Sequence, residues 1–254
     1  LQGCVVGLGF GMNFHDSLAA GRDGMLFTIV SVVTVMAAGV LLGLLMRVER
    51  KGAYLISAGT AICGGSAIAA VAPVIDADEN ETSLSLATIF VLNAVALFLF
   101  PVAGRWLGLS QADFGVWSAI AIHDTSSVVG AGAAYGDEAL RVATTVKLTR
   151  ALWIIPLSIV SMFVFRRKGV KIRIPWFIGW FVVAMLLNTY CALPAALTDG
   201  IALLAHAGLS ATLFLIGGGL SLEVIRRVGA RPLVLGVVLW AVISVLSLGA
   251  ILLS

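Results

Sequence analysis

Residues 26–46 carry no charged side chain, and stretches of this kind recur to the end of the chain. A bilayer's hydrocarbon core is crossed by about 20 apolar helical residues, so such runs dictate a membrane protein before any other feature is weighed. Composition agrees: 60% of the 254 residues are hydrophobic and 11% are charged, against about 25% charged in soluble domains. Backbone amides in lipid need internal partners, and these runs lack the alternation of a membrane barrel, so the fold class is all-α. Breaks rich in charge, Gly, Pro or Asn leave apolar segments near 1–14, 26–46, 52–75, 84–104, 113–135, 139–165, 174–192, 197–221 and 232–253. The first is short. Little chain remains for a soluble domain, so residues 1–254 read as a single transmembrane domain.

The formal net charge is +3, but the excess basic residues sit in a few loops and form no aromatic-interleaved surface for nucleic acid. Cys4, Cys63 and Cys191 are odd in number and give no disulfide framework. No metal-ligand cluster, phosphate loop or dinucleotide motif is present, so no cofactor is expected. Loop charge then predicts orientation. Arg47–Lys51 is basic, Asp76–Glu81 acidic, Arg105 basic, Asp137-Glu138 acidic, Arg166–Arg173 basic, Asp199 acidic and Arg226–Arg231 basic. Read as one alternation per crossing, this puts the basic loops in the cytoplasm and Ser254 on the far side.

Two segments are interrupted by glycine. Residues 52–75 contain Gly64-Gly65, and 197–221 contain Gly217-Gly218-Gly219. Glycine weakens a helix by about 1 kcal/mol relative to alanine. Taken singly, each stretch is explained by close helix packing. Taken as a pair five crossings apart, they predict two discontinuous helices in oppositely oriented halves, the pattern of an inverted-repeat secondary transporter with its site near the midplane. A five-helix repeat then occupies 113–253, while 1–104 holds an incomplete first copy, so at least one helix is expected ahead of Leu1.

Ionisable residues at bilayer depth cost about 2.5–3.5 kcal/mol each on insertion scales and need a partner or a role. His123 and Asp124 lie near the middle of 113–135, and Lys147 and Arg150 lie three apart on one face of 139–165. An Asp124–Arg150 ion pair tying two helices together is one reading. Lys147 then leaves an uncompensated positive charge, which an anionic solute would neutralise. A half-helix starting near Ser66 would add free N–H groups of the same sign, with Cys63 beside the break. The expected substrate site is therefore Cys63, Gly64, Gly65, Ser66, His123, Asp124, Lys147 and Arg150, with Gly217, Gly218 and Gly219 as the partner break. Asn93 and Asn188 are expected to bond between helices, and His206 to be structural.

The motifs Gly59-Thr60-Ala61-Ile62-Cys63-Gly64-Gly65-Ser66-Ala67, Ala121-Ile122-His123-Asp124 and Val146-Lys147-Leu148-Thr149-Arg150, with Pro73, Pro156 and Ile174-Pro175-Trp176-Phe177, resemble the YeiH-type family of bacterial inner-membrane proteins. The resemblance runs over the whole chain. It implies about eleven helices, two of them ahead of this segment, a fold related to bile-acid symporters and sodium/proton antiporters, and export of sulfate or a related sulfur oxyanion.

The leading expectation is alternating-access transport of a small anion, coupled to a proton or sodium through Asp124 and His123. A passive anion channel is the alternative, since it uses similar basic linings. An intramembrane serine hydrolase, with Ser66 as nucleophile and His123 as base, is a third reading. It leaves the two cations unexplained, so no enzyme is expected. The expected partners are the small anion, the lipid bilayer and the coupling ion; substrate identity and homo-oligomerisation stay open.

Overall fold

The computed structural model describes residues 2–11, 13–15, 25–151, 153–165, 176–191, 193–219 and 229–253. Among these the regular elements are helices without a strand: α1 (Gln2–Leu8), a 3-10 turn at Gly9–Gly11, α2 (Met25–Leu45), α3 (Arg50–Ala61), α4 (Gly65–Ile75), α5 (Glu79–Trp106), α6 (Gln111–Ala121), α7 (Thr125–Tyr135), α8 (Asp137–Ala151), α9 (Ile154–Val164), α10 (Trp176–Tyr190), α11 (Ala195–Gly219) and α12 (Ala230–Leu252). Four stretches are long and apolar enough to cross a membrane: Thr28–Leu45, Glu79–Trp106, Asp137–Val164 and Ala230–Leu252.

The break expected in 52–75 is present, at residues 62–64 between α3 and α4. The two halves do not continue in line. They fold back on each other. In line, residues 51 and 76 would stand roughly 37 Å apart at 1.5 Å per residue. Instead Lys51 Nζ donates to the Asp76 carbonyl oxygen, and Lys51 lies 4.0 Å from the Glu81 carboxylate. Asp76, at φ 57°, ends α4 in the left-handed conformation, which a short polar side chain tolerates. A capping box between Asp78 and Glu81 then starts α5. Small residues on the facing arms, among them Ala58, Gly59, Ala67 and Ala70, let the two backbones approach.

A second hairpin replaces the continuous helix expected over 113–135. It turns at residues 122–124, between α6 and α7. Its base is closed by Tyr135, whose hydroxyl donates to the Leu109 carbonyl at 2.7 Å, and by Gln111, whose Oε1 accepts the Glu138 N–H at 3.1 Å. The Phe114 and Tyr135 rings stack there with centroids 3.8 Å apart.

Helix α5 fixes the relation between the hairpins. It begins beside the base of the first and ends beside the base of the second, where Arg105 donates to the Ala134 carbonyl at 2.5 Å. At 28 residues it is about 42 Å long. The hairpins therefore enter from opposite ends of the bundle. The stretch Asp137–Val164 runs the other way, from the second base to the first, where Tyr54 meets Ser161 at 2.8 Å and the Phe165 ring at 5.1 Å. This corrects the reading of loop charge: Arg47–Lys51 and Asp76–Glu81 lie at the same end, so the first hairpin does not cross and the sign change there reports no crossing.

The break expected in 197–221 falls at the edge of the described residues. Helix α11 runs to Gly219, the last described residue of that stretch, and α6–α7 supplies a further discontinuity. The basic residues at 166–173 and 226–227 lie outside the described residues.

Candidate functional site

Each hairpin arm carries its tip about 17 Å from its base, eleven residues along, which is half the depth of a hydrocarbon core of about 30 Å. The tips meet there. Gly64 has φ 62° and ψ −123°, a combination outside the regions open to L side chains. A Cβ built on it would lie 3.3 Å from the Asp124 Cα, so the two turns touch backbone to backbone.

Asn93, near the midpoint of α5, fastens the second tip: its Oδ1 accepts the N–H groups of His123 and Asp124, each at 3.1 Å. Asp124 caps α7, accepting the Ser126 N–H at 3.0 Å and the Ser126 hydroxyl. Helix α8 lies alongside with Lys147 and Arg150, both 0% exposed. Lys147 Nζ donates to the Ile122 carbonyl at 2.7 Å. Arg150 donates to the Ala61 carbonyl at 2.5 Å and to the Ser31 hydroxyl of α2 at 2.8 Å.

The electrostatic logic follows from helix ends. A helix presents about half a positive charge at its N-terminus and half a negative charge at its C-terminus. The C-terminal ends of α3 and α6 each receive a cation, and the N-terminal end of α7 receives the Asp124 carboxylate. The N-cap of α4 is Gly64, which has no side chain to offer, and this end reaches the surface through half-buried Gly65 and exposed Ser66. Two buried basic side chains, Lys147 and Arg150, thus face the Asp124 carboxylate.

Thr60 Oγ1, Asn93 Nδ2, both ring nitrogens of His123 and Arg150 Nε are buried without a hydrogen-bond partner among the described residues. A buried polar atom left in this condition costs about 1–3 kcal/mol. These five belong to residues at the tips or bonded to them, while a sixth such atom among the described residues, Trp240 Nε1, is on α12; the concentration at the tips suits a polar guest.

The structure thus brings Cys63, Gly64, Gly65, His123, Asp124, Lys147 and Arg150 to one crossing, with Ser66 at its exposed edge. Gly217, Gly218 and Gly219 form the last described turn of α11, and the residues that follow them lie outside the described ones. The Asp124–Arg150 ion pair is not formed; Lys51–Glu81 is the ion pair seen among the described residues. No hydrogen bond joins Ser66 to His123 among the described residues, since both ring nitrogens are unpartnered. Among the described residues no group of three or more His, Cys, Asp or Glu could hold a metal ion.

Sequence reasoning missed Thr60 and assigned Asn93 only to bonding between helices. One signal was available. Ala61-Ile62-Cys63-Gly64-Gly65-Ser66 and Ala121-Ile122-His123-Asp124-Thr125-Ser126 share Ala-Ile followed four residues later by Ser, at an offset of sixty positions. Those are the two tips.

The model of the family described as conserved hypothetical protein 698 matches residues 1–236. The chain belongs to this family. Relatives of the family include a UPF0324 membrane protein of Porphyromonas gingivalis, 58% identical over 100% of this chain and 78% of the relative. Another, from Bacteroides thetaiotaomicron, is 56% identical over 99% of the chain and 77% of the relative. A third, from Vibrio parahaemolyticus, is 48% identical over 96% and 80%. No solved structure matches the chain. The relatives' names make them membrane proteins, in agreement with the apolar helices, and the family resemblance carried by the tip motifs holds.

Proposed function

We propose that this family member is a secondary transporter of a small anion, working by alternating access around the crossing of its two hairpin tips. One observation carries the reading: two turns entering from opposite ends meet at mid-depth beside two fully buried cations and a single carboxylate. Discontinuous segments meeting near the midplane are the arrangement in which transporters hold solute, and the excess positive charge favours an anion. Each hairpin together with the 28-residue span that follows it makes a unit, 50–106 and 111–164, and the two units run in opposite directions. These two units are the inverted pair on which the proposal rests.

In this reading Lys147 and Arg150 hold the hairpin ends and supply the charge that draws the anion. The open N-terminus of α4 at Gly65 and Ser66 faces the solute's path, with Cys63 and Gly64 shaping the turn. His123 and Asp124 carry the coupling proton or sodium, because Asp124 is the carboxylate beside both tips. Sulfate and related sulfur oxyanions are the first cargo to test, on the strength of the resemblance to sulfate exporters. The end bearing Arg47, Arg50, Lys51 and Arg231 faces the cytoplasm by the positive-inside rule, which leaves the end of α12 on the other side of a bacterial inner membrane.

The test is sulfate and sulfite flux in proteoliposomes, comparing the parent with Lys147→Met and Arg150→Met at matched thermal stability. The expected result is a loss of at least tenfold in each variant and stimulation of parent flux by anion on the opposite side. Unchanged flux in both variants removes the site, and flux without trans-stimulation makes the protein a channel instead.

A further inference from the structure

At the arginine-bearing end, α2, the first arm of the first hairpin and the end of α9 enclose a groove of about 290 Å³. Gly43, Ala53 and Tyr54 line its inner side, and Val40, Leu44 and Val164 line its mouth. The last three are exposed on the outer surface, where a membrane protein meets acyl chains. A single charged residue lines the groove, Arg50, whose guanidinium lies 5.2 Å from the centre of the Phe165 ring. Among the described residues no carboxylate lies within ion-pair distance of it. Arg50 also opens α3, where the helix dipole offers a cation no counter-charge.

We propose that this groove seats an acyl chain of an anionic phospholipid and that Arg50 holds its phosphate. The apolar wall opens sideways onto the lipid-facing surface, and the cation stands at the level where headgroups lie. Basic pockets between helices at the cytoplasmic boundary bind acidic headgroups in this manner. The groove abuts the first hairpin through Arg50, Ala53 and Tyr54, so its occupant bears on the segment whose far end is the Gly64 turn. The inference does not depend on the transport reading, since it concerns a different surface and a different ligand.

The experiment is native mass spectrometry of delipidated protein in detergent with dioleoyl phosphatidylglycerol or dioleoyl phosphatidylcholine, and with glycerol phosphate as a headgroup without chains. The parent should retain the anionic lipid at least tenfold more strongly than phosphatidylcholine. Arg50→Gln should abolish that preference, and Val164→Trp, which fills the mouth, should weaken both lipids severalfold. Arg105→Gln, at the opposite end, should change nothing. Circular dichroism and the melting temperature check that each variant is folded. Equal retention of the two lipids by the parent overturns the proposal, as does a preference surviving Arg50→Gln. Displacement of the anionic lipid by equimolar glycerol phosphate, or binding untouched by Val164→Trp, does so equally.

Discussion

Gly64 is the residue on which the tip geometry turns, because its backbone angles exclude a side chain and its neighbour across the contact is backbone. Gly64→Ala should cost about 1–3 kcal/mol, read as a lowered melting temperature in detergent. Gly65→Ala is the control: its added Cβ meets only side-chain carbons, the nearest at 3.4 Å, and it lies in ordinary helix, so it should be nearly neutral. Equal losses at both positions would show that the turn is not the constraint. Asp124 permits a different separation. Asparagine caps a helix about as well as aspartate, so Asp124→Asn should leave stability within about 1 kcal/mol. If that carboxylate carries the coupling ion, the variant should lose the dependence of flux on pH or sodium while still exchanging anion. Retention of that dependence would assign coupling elsewhere.

At the scale of elements, the reversal of each hairpin is directly testable. With Cys4, Cys63 and Cys191 replaced by serine, single cysteines at positions 47 and 78 should react with a membrane-impermeant maleimide from the same face of sealed vesicles. Cysteines at 111 and 137 should both react from the other face. Labelling of 47 and 78 from opposite faces would restore a crossing helix over 50–75. The apolar segments themselves were legible: 26–46, 84–104 and 232–253 became α2, α5 and α12 with ends shifted by a few residues, because segment length and hydropathy are written locally. Direction is not. A run of about 25 apolar residues with a polar turn in its middle has the same hydropathy whether its halves continue or fold back. The acidic stretch Asp76–Glu81 looked like the opposite face because charge sign was the sole cue, whereas in the fold Glu81 is held beside Lys51. The tip residues were legible in kind because ionisable side chains are conspicuous in apolar sequence. Their bonding was not, since Lys147 and Arg150 reach main-chain carbonyls, which every residue possesses.

For the whole molecule, the two units 50–106 and 111–164 place their polar centres at matching depth, Asn93 on one span and Lys147 with Arg150 on the other. A guest bound between the tips should stabilise the parent by mass action, about 2.7 kcal/mol at one hundred times its dissociation constant. Thermal unfolding with sulfate, sulfite and small carboxylates at constant ionic strength would read this. The stabilising anion should lose its effect in Lys147→Met, and an anion that protects both proteins equally would be acting outside the crossing.

The bond from Arg150 to the Ala61 carbonyl spans 89 positions of chain. A ribosome making about 5–20 residues per second takes roughly 4–18 seconds to cover that interval. For that time the first turn is already made while the guanidinium that completes it has yet to emerge. The nascent hairpin therefore lacks this bond until the later span is made, so the contact that closes the first tip is a late one in synthesis.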